Sequence, residues 1–144
     1  MALYDKTKEV EVLGEISPGF NFITIKIDFN KVPAKATDDD WKVFVLNNNW
    51  VLLNGYTQIP VASTSLGTID IGTAQDGTEL DTAIDISTGA TGMTAMDTLL
   101  YNAAIVITAD GYIYLRFNTA PVLDGVLEIH LEILAAPTED SRTD

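Results

Sequence analysis

The chain has no cysteine among its 144 residues. That removes disulfide staples, thiolate zinc sites, iron–sulfur ligation and a cysteine nucleophile. Histidine occurs once, and eight Lys/Arg residues stand against 21 acids, for a net charge of −13. The bases are unevenly placed. Lys6, Lys8, Lys26, Lys31, Lys35 and Lys42 meet eight acids in the first 42 residues (net −2), whereas Arg116 and Arg142 meet thirteen in the remainder (net −11). Binding a phosphate backbone requires cations that displace condensed counterions, so direct nucleic-acid binding is disfavoured, as is docking on an anionic membrane. A solvated acidic surface that aids solubility is the plain reading of the charge. No apolar run approaches the ~18 residues of a membrane helix. The opening Met1-Ala2-Leu3-Tyr4-Asp5-Lys6 lacks a basic-then-apolar leader, and the expectation is a chain made and kept in a cytoplasm.

What is present is alternation. Apolar residues make up 47% of the chain, enough for one domain with a real core. Ile23, Ile25, Ile27 and Phe29 alternate with Thr24, Lys26 and Asp28. Leu66–Gly72, Gly111–Phe117 and Val126–Leu134 show the same period of two, the mark of half-buried strands. Val10 and Val12 suggest a short first strand, and Ser17-Pro18-Gly19 a turn. Trp41–Leu46 and Trp50–Ile59 read as a hairpin about Asn47-Asn48-Asn49, with Asn54-Gly55 a second tight turn or a bulge and Pro60 the end of the strand.

Glu79–Ile84 and Thr94–Leu100 are candidate helical turns, the latter equally readable as a loop crossing. Thr88–Thr94 is a Gly/Thr-rich loop, and Ala103–Thr108 reads as an apolar strand buried on both faces. The expected fold is all-β: a single-domain β-sandwich or jelly roll of roughly eight strands with one or two short helical turns. Residues 1–8 read as an N-terminal arm, 9–135 as the sandwich domain and 136–144 as a flexible acidic tail.

Candidate chemistry is sparse, and neither a catalytic residue nor a cofactor is assigned. His130 shares a strand face with Glu128 and Glu132, surroundings unsuited to a general base near neutral pH. No Gly-x-Ser-x-Gly elbow accompanies it. Asp76, Glu79 and Asp81 supply oxygens at loop spacing but lack the Asp-x-Asp-x-Asp-Gly pattern of a calcium hand, and the consecutive side chains of Asp38-Asp39-Asp40 diverge. Glu128 and Glu132 lie side by side on one strand, not across a cleft as a glycosidase pair requires. The most interface-like feature is the face shared by Tyr112, Tyr114 and Arg116, with Trp50 and Tyr56 beside Asn54-Gly55 and Leu3 and Tyr4 in the arm as further contact candidates. Packing against a neighbouring sheet or subunit is the plain alternative for these aromatics, and a sugar-binding platform the other.

The run Thr68-Ile69-Asp70-Ile71-Gly72-Thr73-Ala74-Gln75-Asp76-Gly77-Thr78-Glu79-Leu80, followed by Ala83-Ile84-Asp85-Ile86-Ser87, resembles tailed-phage head decoration (cement) proteins, in which a strand ending I-G-T runs into D-G-D-x-L. Ala109-Asp110-Gly111-Tyr112-Ile113-Tyr114-Leu115 and Gly125-Val126-Leu127-Glu128-Ile129 resemble the last two strands of that family. The likeness runs from Thr68 to Leu134, about half the chain. The first 60 residues match only in layout.

The resemblance implies a non-enzymatic virion protein on the outer capsid surface, made in the host cytoplasm. It would bind the major capsid protein as a homotrimer and clip neighbouring coat subunits together. It also suggests that the near-neutral N-terminal third, with Lys6, Lys8, Lys26 and Lys35, faces the shell. A tail-fibre or receptor-binding module and a carbohydrate-binding module are the alternative readings.

Overall fold

The computed structural model describes residues 3–87, 94–96, 104–119 and 121–135. Eleven strands are present and no helix occurs among the described residues. They are β1 (Leu3–Asp5), β2 (Glu11–Leu13), β3 (Gly19–Asp28), β4 (Asp40–Leu46), β5 (Val51–Val61), β6 (Thr68–Gly72), β7 (Asp81–Asp85), β8 (Thr94–Ala95), β9 (Ile105–Val106), β10 (Gly111–Phe117) and β11 (Val126–Ala135). One sheet has the order β1-β4-β10-β6-β7 and the other β2-β3-β11-β5-β8, with β9 also on β5. Every pairing is antiparallel except β1 on β4. The chain is an all-β sandwich, as its alternation predicts.

The core follows directly from the period of two. Ile23, Ile25 and Ile27 of β3 and Leu127, Ile129, Leu131 and Ile133 of β11 point inward from the second sheet. Trp41, Val43, Ile113, Leu115 and Phe117 point inward from the first. The layers meet in an aromatic cluster, where Phe117 lies 4.6 Å from Trp41 and 5.9 Å from Phe29, centroid to centroid, both edge-on. Edge-on rings set the positive rim of one against the negative face of the other, adding to the gain from burial alone.

At one end of the sandwich the two connections that pass between the sheets, β3 to β4 and β10 to β11, are stitched to each other. Ala34 and Val122 exchange hydrogen bonds of 2.8 and 2.6 Å, and Phe29 N–H donates to Gly125 O at 2.9 Å. Gly125 has φ +92°, and a Cβ there would meet the Ser63 backbone nitrogen at 2.9 Å. Asp124 beside it accepts hydrogen bonds from Thr64 Oγ1, Thr64 N–H and Ser63 Oγ at 2.7 to 2.9 Å.

Several local expectations are corrected. Glu79–Ile84 is not a helical turn: Asp81–Asp85 is strand β7, paired with β6. Asp81 and Ile84 are both buried, three residues apart, because a bulge sets Thr82 and Ala83 opposite the single residue Asp70 and resets the phase. The Asp70 carboxylate accepts from Thr82 Oγ1 and Ala83 N–H, bracing the positive φ of 54° at Ala83. In the second helical candidate Thr94–Ala95 is strand, and 97–100 lie outside the described residues.

The strand expected over Ala103–Thr108 shrinks to Ile105–Val106, whose Val106 is exposed rather than buried, because β9 only brushes the end of β5. Asn54-Gly55 does not turn the chain. β5 runs through it and past Pro60 to Val61, and the ladder bulges at Leu53, where Asn54 pairs with Glu132 and Leu52 with Ile133. Leu3–Asp5, within the expected N-terminal arm, forms an edge strand of the chain's own first sheet, held further by Lys6 N–H to Lys42 O at 2.9 Å. The expected tail, 136–144, and most of the Gly/Thr loop lie outside the described residues.

Candidate functional site

A sandwich offers two outer sheet faces, and the sequence-predicted contact residues divide between them. On the outer face of the first sheet, β10 places Tyr112 and Tyr114 together, ring centroids 6.1 Å apart and edge-on. Lys42 of β4, directly opposite Tyr114, holds its ammonium 4.5 Å from the Tyr112 ring centroid. Both tyrosines are half-buried.

Arg116 does not extend this outward face. It is 8% exposed. Its Nε and one terminal nitrogen donate to the two oxygens of Asp40 at 3.1 and 2.8 Å, and the other terminal nitrogen meets Asp76 at 2.8 Å. Hydrogen bonding to Asp40 raises the Arg116 pKa beyond its ordinary value, against the opposing effect of burial. The β6–β7 turn supplies Asp76 with positive φ, and its N–H donates back to Asp40 Oδ1 at 3.2 Å. Period-two reading put Arg116 in phase with the tyrosines correctly. The turn that covers it belongs to a distant segment and leaves no signal in β10 itself.

The other predicted residues are dispersed. Leu3 and Tyr4 lie exposed on edge strand β1. Tyr4 joins Lys6, Pro33, Lys35, Asp39 and Trp41 around a surface cavity of ~270 Å³. Lys6 lies between the Tyr4 and Trp41 rings, 5.5 and 5.4 Å from their centroids, and pairs with Glu9 at 3.1 Å. Lys26 belongs to the opposite sheet, so the N-terminal lysines do not form one patch. Trp50 packs inward against the core, 6.4 Å from the Phe44 centroid. Tyr56 stands exposed on the second sheet, beside His130.

The candidate metal-binding oxygens are used internally. Asp76 holds Arg116, and Glu79 accepts from Thr73 N–H at 2.8 Å. No group of three or more His, Asp or Glu side chains that could hold a metal ion occurs among the described residues. His130 spans three strands, with Nδ1 2.8 Å from Thr24 Oγ1, Nε2 3.2 Å from Gln58 Oε1 and 3.4 Å from Glu128. That is a cross-strand brace, with its ring nitrogens taken up by neighbours on the sheet.

The outer face of the second sheet holds what the sequence reading missed. Phe20 and Phe22 are 70% and 74% exposed, and Leu13 on the adjoining strand is 50% exposed. They are fixed outward by Asn21 between them. Its amide turns inward, accepts Ser17 N–H at 3.0 Å and donates to Ser17 O and Gly19 O at 2.8 and 2.9 Å. The signal was in the sequence. Phe20 and Phe22 share the phase of Thr24 and Lys26, the polar side of β3, and an aromatic there is out of place in a solvated strand.

No family model matches the sequence, and no curated protein matches it. Comparison of structures does find matches. The fold is similar to a chain described as the capsid of Ralstonia phage GP4, with a TM-score of 0.62 and 13% identity, over 96% of this chain and 100% of that one. The two share a fold.

Proposed function

We propose that this chain is a non-enzymatic virion structural protein that binds the outer surface of a phage capsid, contacts the major capsid protein and stabilises the contacts between neighbouring coat subunits. The observation that carries the reading is the end-to-end structural likeness to a chain of the Ralstonia phage GP4 capsid. It joins a sequence resemblance to head decoration proteins that rests on different grounds, the turn-and-strand run from Thr68 to Leu134.

The geometry supports a role exerted through surfaces. Exposed aromatics stand on the outer face of the second sheet and on edge strand β1, half-buried tyrosines on the outer face of the first, while the loop carboxylates and the histidine are engaged within the fold. Such a protein acts by symmetry, since a homotrimer on a shell repeats one modest interface many times. Co-sedimentation with emptied, expanded shells of the phage that encodes the chain tests the reading, together with a mass measurement in solution. Binding to expanded shells by a trimer is the expected result. Failure to bind any shell sinks it.

A further inference from the structure

The outer face of the second sheet is divided along its strands. At one end stand Phe20, Phe22, Leu13 and Tyr56, all exposed. At the other, Glu11, Lys26 and Glu128 lie in one row across β2, β3 and β11, with Asp28 one step beyond, while Glu132, opposite Phe22, borders the aromatic end. An aromatic side chain presents ~150–250 Å², so two rings exposed by 70% and 74% leave roughly 220–360 Å² of apolar surface in water, before Leu13 and Tyr56 are added. That is a patch rather than scattered hydrophobes, and a sizeable part of the ~800 Å² that one partner contributes to a standard interface. Residues two apart on a strand lie ~7 Å apart, so the sheet offers two rigid aromatic anchors at fixed spacing. Rigid rings bind with little loss of side-chain freedom.

The charges decide the occupant. Four acids, Glu11, Asp28, Glu128 and Glu132, share this face with Lys26, and Lys31 stands beside Glu11 and Asp28 at its charged end, so the face carries more acid than base. A second copy packed face to face would bring together two surfaces of the same net negative charge, which opposes association. A surface with an apolar hollow for two rings and a rim of Lys or Arg meets both features.

We infer that the Phe20–Phe22 face is the surface by which the chain seats on the coat shell, against a coat-protein site that is apolar at its centre and basic at its edge. The inference rests on the virion reading and adds to it the face, the anchors and the partner's chemistry. The Tyr112–Tyr114 face, on the opposite sheet, points away from the shell.

The test uses the full chain, emptied expanded shells of the encoding phage, and co-sedimentation titration at low and high salt. The double variant Phe20→Ser/Phe22→Ser is expected to lose at least about 100-fold in affinity, the scale for two central anchors. Its urea midpoint should match that of the parent chain, because both side chains are solvent-facing. Glu128→Gln/Glu132→Gln should bind more weakly and with a shallower salt dependence, whereas Tyr112→Ser should bind as the parent does.

If the parent chain binds no shell, it is the virion reading that falls. If the parent binds and the double phenylalanine variant binds equally well, this inference alone falls. It is also overturned if the charge variant keeps the parent's affinity and salt dependence. A parent chain that sediments as an oligomer, made monomeric by the double variant with shell binding intact, would reassign the face to contacts between copies.

Discussion

Arg116 grips Asp40 with a two-pronged ion pair in which Asp40 is wholly inaccessible to solvent. Burying two charges is costly, and the pair is retained here with its remaining bonding capacity filled by Asp76. Removing one member leaves the other charged and unpaired. Arg116→Met is therefore expected to lower stability by about 3–5 kcal/mol. Asp76→Asn, at an exposed partner, should cost about 1 kcal/mol or less. Urea titrations of both variants check the ordering, and equal losses would show that the Asp40 pairing is not the dominant one.

Gly125 sits at positive φ with the Ser63 and Val61 backbones against its α-carbon. Alanine there meets a disfavoured backbone conformation and a neighbour that cannot rotate away. Gly125→Ala is expected to destabilise by about 1–3 kcal/mol, while Gly111→Ala, whose Cβ would meet Ala109 O at an unstrained 3.9 Å, should do far less. Thermal melts of the pair provide the comparison.

Asp124 is held below the ordinary aspartate range by the Thr64 hydroxyl first, then the Thr64 N–H and the Ser63 hydroxyl. A carboxyl more acidic when folded stabilises the fold in its ionised form. That contribution is fully present above the unfolded-chain value of about 4 and is lost as pH falls through the lower folded value. Asp124→Asn should thus flatten the decline of the urea midpoint on going from pH 5 to pH 2. An unchanged slope would remove Asp124 from the acid response.

Phe117 and Phe22 have the same chemistry and opposite surroundings. Phe117 is inaccessible inside the aromatic cluster, and Phe117→Ala should cost about 3–5 kcal/mol. Phe22→Ala, on the outer face, should stay within about 0.5 kcal/mol of the parent. A large loss for Phe22→Ala in the isolated chain would mean that its ring is already packed.

The layers of the sandwich were legible because Ile23, Ile25, Ile27 and the Leu127–Ile133 series carry an uninterrupted period of two, which only a one-sided sheet explains. What escaped was set by partners far along the chain. Ala83 has no residue-type preference for positive φ; it adopts one because Asp70 on the neighbouring strand binds its N–H, and so a strand looked like a helical turn. Arg116 is covered by a turn whose position is a tertiary fact. The site itself was half readable. Tyr56 was named, but Phe20 and Phe22 beside the Ser17-Pro18-Gly19 turn were passed over, although their phase already set them on the solvent side.

The strand order of the second sheet has a temporal meaning. β11, which ends at Ala135, is inserted between β3 and β5, and neither touches the other directly. During synthesis the isoleucine face of β3 therefore waits, unpaired along one edge, until more than a hundred further residues have left the ribosome. The sheet closes from its middle and last of all. Such distant pairing makes for slow folding, and a chain cut short before Val126 would present two unsatisfied strand edges rather than a smaller version of the same protein.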